Sequence, residues 1–302
     1  MSDIPRFTLL ANRGLLAIAG PDRVSFLQGL VSNDMEKVAL DRVVYAALLN
    51  PQGKFLYDFF VFGTLETLIL DCELDCLEGL KKRLSLYKMR ADVTLEDRTG
   101  EMTVSALIGD EELVEQELPR EPGAAIAFGG GIVCRDPRLA DIGWRFLLPY
   151  TETENILVAA GFSPTHASYY DRMRLCLGLP DGRRDLISEK SILLESGFSE
   201  LNGVDWNKGC FIGQELTART KYRGLIKKRL VPVSYNGPPP EPGALILAGD
   251  KGAGEIRSSL ATKDGGIGLA LIRLEALASP FDLMADGVLV TPSRPHWMLD
   301  EL

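Results

Sequence analysis

The chain's chemistry concentrates between positions 208 and 215, which read Lys208-Gly209-Cys210-Phe211-Ile212-Gly213-Gln214-Glu215. One thiol stands between two glycines, two residues from a lysine, with a carboxylate on what reads as a helix start. A nearby ammonium and a turn of free backbone N–H groups both favour a thiolate over a thiol. Glycines beside the sulfur let the backbone approach a ligand closely. The pattern predicts an exposed, activated Cys210 with Lys208 as its electrostatic partner.

Other reactive residue types carry less. Cys72 and Cys76 lie close together in sequence, but the chain has only 2 histidines, and a tetrahedral site needs about four ligands. No metal site is expected; the pair reads as small residues leading into a helix. His166, in Ser163-Pro164-Thr165-His166, has no paired acid in view and reads as a surface residue. From Arg219 to Arg229 come Arg219, Lys221, Arg223, Lys227, Lys228 and Arg229, a basic stretch that suits an anion.

Composition narrows the function classes. With 302 residues, 46% of them hydrophobic, the chain can bury a real core and form two or three structural units. A net charge of -9 argues against general binding of nucleic acid or anionic membrane. No stretch approaches the roughly 18 consecutive apolar residues of a membrane helix. The start, Met1-Ser2-Asp3-Ile4-Pro5-Arg6, lacks a secretory layout, and five scattered cysteines are no disulfide framework. These features predict a cytoplasmic protein.

The elements that must position the motif follow from periodicity. Gly14 to Ile18 reads as a strand, and Pro21-Asp22-Arg23 opens a short helix carrying Phe26 and Leu27. Strands over Val43 to Leu49 and Phe55 to Phe62 are joined by the turn Asn50-Pro51-Gln52-Gly53, and Leu68 to Leu70 continues the sheet. Leu77, Leu80 and Leu84 form one face of a helix over Asp75 to Tyr87. Strands at Asp92 to Leu95 and Met102 to Leu107, then a helix near Glu111 to Glu117, complete a ferredoxin-like order. Gly129-Gly130-Gly131 marks a loop. Trp144 to Leu148 reads as a strand, and Glu152 to Ala160 and Ala167 to Leu177 as helices. Past the proline-rich Asn236 to Gly243, short strands near Ala244 to Leu247, Gly254 to Arg257 and Gly266 to Ile272 suggest a small β-barrel. The fold class is α+β, with residues 1–228 as one region of two interwoven α+β units, one of them roughly 50–125, and 229–302 as the barrel.

The octapeptide resembles the signature of the YgfZ family, the folate-binding, iron–sulfur-related branch of the aminomethyltransferase (glycine cleavage T-protein) superfamily. The likeness extends over nearly the whole chain. Phe26-Leu27-Gln28-Gly29-Leu30-Val31-Ser32-Asn33-Asp34, Leu48-Leu49-Asn50-Pro51-Gln52-Gly53-Lys54 with Asp58, Arg174-Leu175-x-Leu177-Gly178-Leu179-Pro180 and Gly254-Glu255-Ile256-Arg257-Ser258-Ser259 resemble further family segments. The resemblance implies a three-domain ring of the T-protein type holding tetrahydrofolate or a related reduced folate.

In that frame Glu195 matches the superfamily's pterin-binding glutamate, and a carboxylate suits a pterin's two parallel N–H donors. Asp58 would face the pterin as well. Gln214 and Glu215 would shape the site, and Arg219 and Arg223 would meet the glutamate tail of folate or a partner's acidic face. Two departures stand out. T-proteins carry an Asp-Asp pair where this chain reads Tyr57-Asp58, and many relatives have proline where Leu193 or Leu194 stands.

The resemblance therefore implies a folate-binding accessory protein that supports iron–sulfur cluster assembly or repair through Cys210, with cluster client or assembly proteins as partners. Two other readings stay open. One is a folate-dependent aminomethyltransferase using Asp58; the other is a folate-binding module without turnover.

Overall fold

The computed structural model describes residues 5–109, 114, 116–224, 226–278 and 280–299. The chain divides into two compact units. The first comprises Met1–Leu49, Tyr57–Tyr170 and Asn202–Ile212; the second comprises Asn50–Leu56, Asp171–Leu201 and Gly213–Leu302. The helix expected over Glu111 to Glu117 falls largely outside the described residues.

The first unit is built on two sheets. One has five strands in the order Val44–Leu49, Phe55–Gly63, Thr67–Glu73, Arg13–Ala19 and Thr94–Asp97. Its last four follow the ferredoxin-like order, with the helices Arg23–Gln28 and Leu77–Lys88 as the crossovers. That unit starts at Arg13, well before residue 50. All six residues of Val44–Leu49 are buried, so this strand lacks the polar alternation of a half-exposed one. Leu77, Leu80 and Leu84 fall on one face of their helix and are buried, as the spacing predicts.

The second sheet has six strands, in the order Ser163–Pro164, Arg6–Leu9, Met102–Ile108, Trp144–Pro149, Gly131–Arg135 and Ala125–Phe128. The glycine run read as a loop is the tight turn of a hairpin, with Phe128 opposite Gly131. Phe7, Leu107, Trp144, Phe146 and Leu157 form the core beneath this sheet.

A buried ion cluster links the two sheets. Asp71, fully buried on Thr67–Glu73, accepts from Arg13 Nε at 2.6 Å and Arg145 Nε at 2.5 Å. Burial alone would raise the Asp71 carboxyl, but the two guanidiniums outweigh it and hold it below the usual carboxylate range.

The second unit ends in a closed six-stranded barrel. Lys228–Tyr235 pairs with both Gly265–Arg273 and Val288–Pro292, which closes the ring and leaves no open edge. Val231, Val233, Ile246, Ile256, Ile272 and Val290 fill its interior.

Candidate functional site

The loop carrying Cys210 is held by its own first unit. Asp205, buried at its start, accepts from Asn207 N at 2.7 Å and Lys208 N at 3.1 Å, and it pairs with Lys37. Lys208, 9% exposed, turns its ammonium inward. Nζ donates to the carbonyls of Gln28 at 2.8 Å, Val31 at 2.7 Å and Asn33 at 2.6 Å. Three converging acceptors match the three donors of an ammonium. Burial pushes Lys208 down to about 8, with Asp34 and Asp205 opposing the fall, so it is charged at neutral pH.

The acceptors belong to the early Phe26 to Asp34 segment, whose side chains complete the join. Ser32 Oγ donates to Gly203 O at 2.6 Å, and Asn33 Nδ2 donates to Tyr45 O and Asn202 O, both at 2.7 Å. Ile212 N donates to Gly29 O, and Phe211 is buried with Lys208 Nζ 5.4 Å from its ring centre. Two motifs far apart in sequence thus form one rigid seat. On it Gly209 and Cys210 are exposed.

This arrangement corrects the expected role of Lys208. Its three N–H groups are committed to carbonyls, so it anchors the loop instead of pairing with the Cys210 sulfur. The other cysteines divide by environment. Burial pushes Cys72 up to about 12 and Cys134 higher still, while Cys76 is half-buried and Cys176 is exposed on the helix Ala167–Leu177.

Asp58 lies in the same unit, half-buried, and accepts from Tyr45 Oη at 2.8 Å. Burial, and then the Asp58 charge, raise the Tyr45 hydroxyl's pKa, which keeps it a donor. The Arg138 guanidinium lies 5.6 Å from the Tyr45 ring centre and is paired with Asp136. Tyr57 packs elsewhere: a Cβ placed on Gly79 would meet its hydroxyl at 2.7 Å. Where the resemblance expects an acid of T-proteins, this chain holds a ring that packs on the helix Leu77–Lys88.

The second unit holds the remaining expected residues. Gly213, at φ 79°, caps the helix Gln214–Tyr222 in a left-handed conformation that suits glycine. Glu215 is exposed in the first turn and Gln214 is half-buried. The turn containing Gly53 packs on this helix start: a Cβ at Gly53 would lie 2.5 Å from Leu216 Cβ and 2.8 Å from Gly213 O. Glu195 sits half-buried in the 3-10 turn Leu193–Ser196, against which the helix packs. Burial raises its carboxyl, while Lys228, Lys54 and Arg229 pull the other way.

Arg219 and Arg223 lie on the helix and its cap, and both are exposed. Arg229 leaves the basic stretch. It is buried, bonded to Glu200 at 2.7 Å and to Leu194 O at 2.8 Å, and is part of the packing. His166 is exposed, with Nδ1 2.9 Å from Ser168 Oγ, as a surface residue at a helix start. Sequence reasoning missed Tyr45 and Arg138 beside Asp58, and it named Lys54 and Lys228 without placing them around Glu195. Lys54 carried a signal as the residue after the Asn-Pro-Gln-Gly turn, and Lys228 as part of the basic stretch.

Residues 227–300 match the family model described as CAF17, C-terminal beta-barrel domain. Over 311 residues the chain is 34% identical to the mitochondrial iron-sulfur cluster assembly factor IBA57 of Mus musculus, covering 95% of this chain and 84% of that protein. The Homo sapiens IBA57 is 35% identical over the same shares. The chain belongs to the IBA57 family. Among solved structures, the glycine cleavage system aminomethyltransferase T from Bartonella henselae superposes with a TM-score of 0.78 at 15% identity, covering 98% of this chain and 86% of that one. That likeness shows the T-protein fold. The motifs had pointed to the YgfZ family, and the family shown is the IBA57 relative of it.

The IBA57 relatives also overturn the cytoplasmic placement, because they are mitochondrial proteins by name. Among the described residues no helix is long and apolar enough to cross a membrane.

Proposed function

We propose that this chain acts in iron–sulfur cluster assembly as a folate-binding member of the IBA57 family, and that Cys210 presents its thiolate to a cluster or to an assembly partner. The observation that carries this reading is the Lys208 anchor, which fixes the Cys210 loop from beneath and leaves the thiol outward. A cluster needs about four protein ligands, and one cysteine supplies one of them. The rest come from the partner that donates or receives the cluster, which is cargo here.

The second unit's residues fit a reduced folate. Glu195 is a half-buried carboxylate with cationic neighbours, able to accept two parallel N–H donors from a pterin edge. Gln214 and Glu215 line up at the start of the adjoining helix, and Arg219 and Arg223 offer cations for the glutamate tail. Asp58, held by Tyr45, belongs to the first unit. The position of Tyr57 argues against aminomethyl transfer by the T-protein route.

The test is complementation of a strain lacking its IBA57 protein, scored by the activity of a cluster-containing dehydratase. Cys210→Ala should fold and bind tetrahydrofolate yet fail to restore activity. Rescue equal to the unaltered chain would assign the thiol no role in assembly. Calorimetry with tetrahydrofolate separately tests the binding; no heat of binding would remove folate from the reading.

A further inference from the structure

The second unit contains a cavity of about 290 Å³ on the flank of the barrel, lined by Arg174, Arg184, Arg257, Ser259, Leu175 and Leu260 among others. Neither the folate reading nor the Cys210 chemistry uses it. Arg174 and Arg184 are already engaged. Arg174 bonds Asp185 at 2.8 Å and Asp171 at 3.0 Å; Arg184 bonds Asp171 and Asp181, each at 2.7 Å. Ser258 Oγ donates to Asp185, which completes a buried network behind the cavity wall.

Arg257 differs. Its side chain, on the strand Lys251–Thr262, is 10% exposed, and its Nη1 bonds Glu255 at 3.0 Å. Its Nε is buried and has no hydrogen-bond partner. A buried N–H donor left unsatisfied is costly, and in native proteins such a group is usually completed by water, an ion or a ligand. The guanidinium edge that includes Nε is the one that receives carboxylate or phosphate in a bidentate fork. Glu255 is 34% exposed, so it bonds Arg257 from the solvent side and is the weaker of the fork's possible partners.

We propose that this cavity binds the oxyanion end, carboxylate or phosphate, of a small organic molecule, with Arg257 as the principal contact and Leu175 and Leu260 against the molecule's apolar part. Arg184, at the rim and 39% exposed, is the second cation the anion meets. The lining's one carboxylate among these residues, Asp171, accepts from both Arg174 and Arg184, so its charge is offset within the wall.

The test is thermal melting and calorimetric titration of the full chain with sodium butyrate and with inorganic phosphate, each against sodium chloride at equal ionic strength. The expected result is a saturable rise in melting temperature with at least one oxyanion beyond the chloride control. Arg257→Gln should weaken that affinity at least about tenfold, the loss of one charge-assisted contact. A tighter response to butyrate would identify the carboxylate source, and a tighter response to phosphate the phosphate source. Arg257→Lys keeps the charge without the fork and should also lose affinity, which covers the case of a poorly folded glutamine variant. Melting that follows chloride for both anions, or an Arg257→Gln response equal to that of the unaltered chain, overturns the site. The second outcome would mark the stabilisation as general anion exclusion.

Discussion

Replacing Lys208 with methionine keeps the stem's volume and removes the ammonium that three carbonyls share. Each hydrogen bond to an ion contributes roughly 1.5–3 kcal/mol, so three would sum to roughly 5–9 kcal/mol before any cost. Burying the charge outweighs the pull of Asp34 and Asp205, which is why Lys208 falls to about 8, and so it offsets much of that sum. The balance leaves an expected loss of about 3 kcal/mol, in line with breaking other buried charged pairs. Urea unfolding followed by Trp206 or backbone signal should show it as a lower midpoint. The second readout is local: alkylation of Cys210 should change rate in the variant under native conditions, because its seat has lost the tie. Lys208→Arg should do nearly as badly, since a planar fork does not match three converging carbonyls. A loss under about 1 kcal/mol with unchanged alkylation would refute the anchor argument.

The same geometry sets three further outcomes. Under native conditions iodoacetamide should reach Cys210 and Cys176, both exposed, while Cys72 and Cys134 react only after unfolding; peptide mapping that finds Cys72 modified first would contradict the burial. Because burial raises the Glu195 carboxyl above its ordinary 4.5, tetrahydrofolate affinity should fall on acidification starting above that value, as the accepting carboxylate is protonated. Glu195→Gln should bind about 10- to 100-fold more weakly and lose this pH dependence by calorimetry. Gly53→Ala should cost about 1–3 kcal/mol in thermal or urea unfolding, since φ of 75° and Leu216 both oppose a side chain there; a neutral result would mean the helix start can shift.

What could be read in advance was whatever depends on near neighbours. The helix Ala167–Leu177 and the strands around the Asn-Pro-Gln-Gly turn follow from periodicity and turn chemistry, which act over a few residues. The hairpin of Ala125–Phe128 and Gly131–Arg135 escaped because two strands of four and five residues carry too little pattern beside three glycines. At the site, the type of each residue was legible and its orientation was not. Lysine beside cysteine suggests an electrostatic pair, yet the carbonyls that capture Lys208 come from a segment that periodicity had assigned only to a helix and its exit. Likewise Arg229 looked like one more surface cation until the fold placed Glu200 and Leu194 O against it.

The Lys208 anchor also sets an order of events. Its acceptors lie between 175 and 180 residues upstream of the donor, so the bonds form only after that length of chain has been made and closed on itself. Loop closure over such a span has to precede the contact, whereas the helices and hairpins of the first unit need only local chain. During synthesis, Cys210 therefore emerges on an unshaped segment and gains its presented form among the last features of its unit. A nascent or truncated chain ending before Lys208 would carry the early motif with three carbonyls still turned to water. On the proposed reading, presentation of the Cys210 thiol is thus tied to completion of the fold itself.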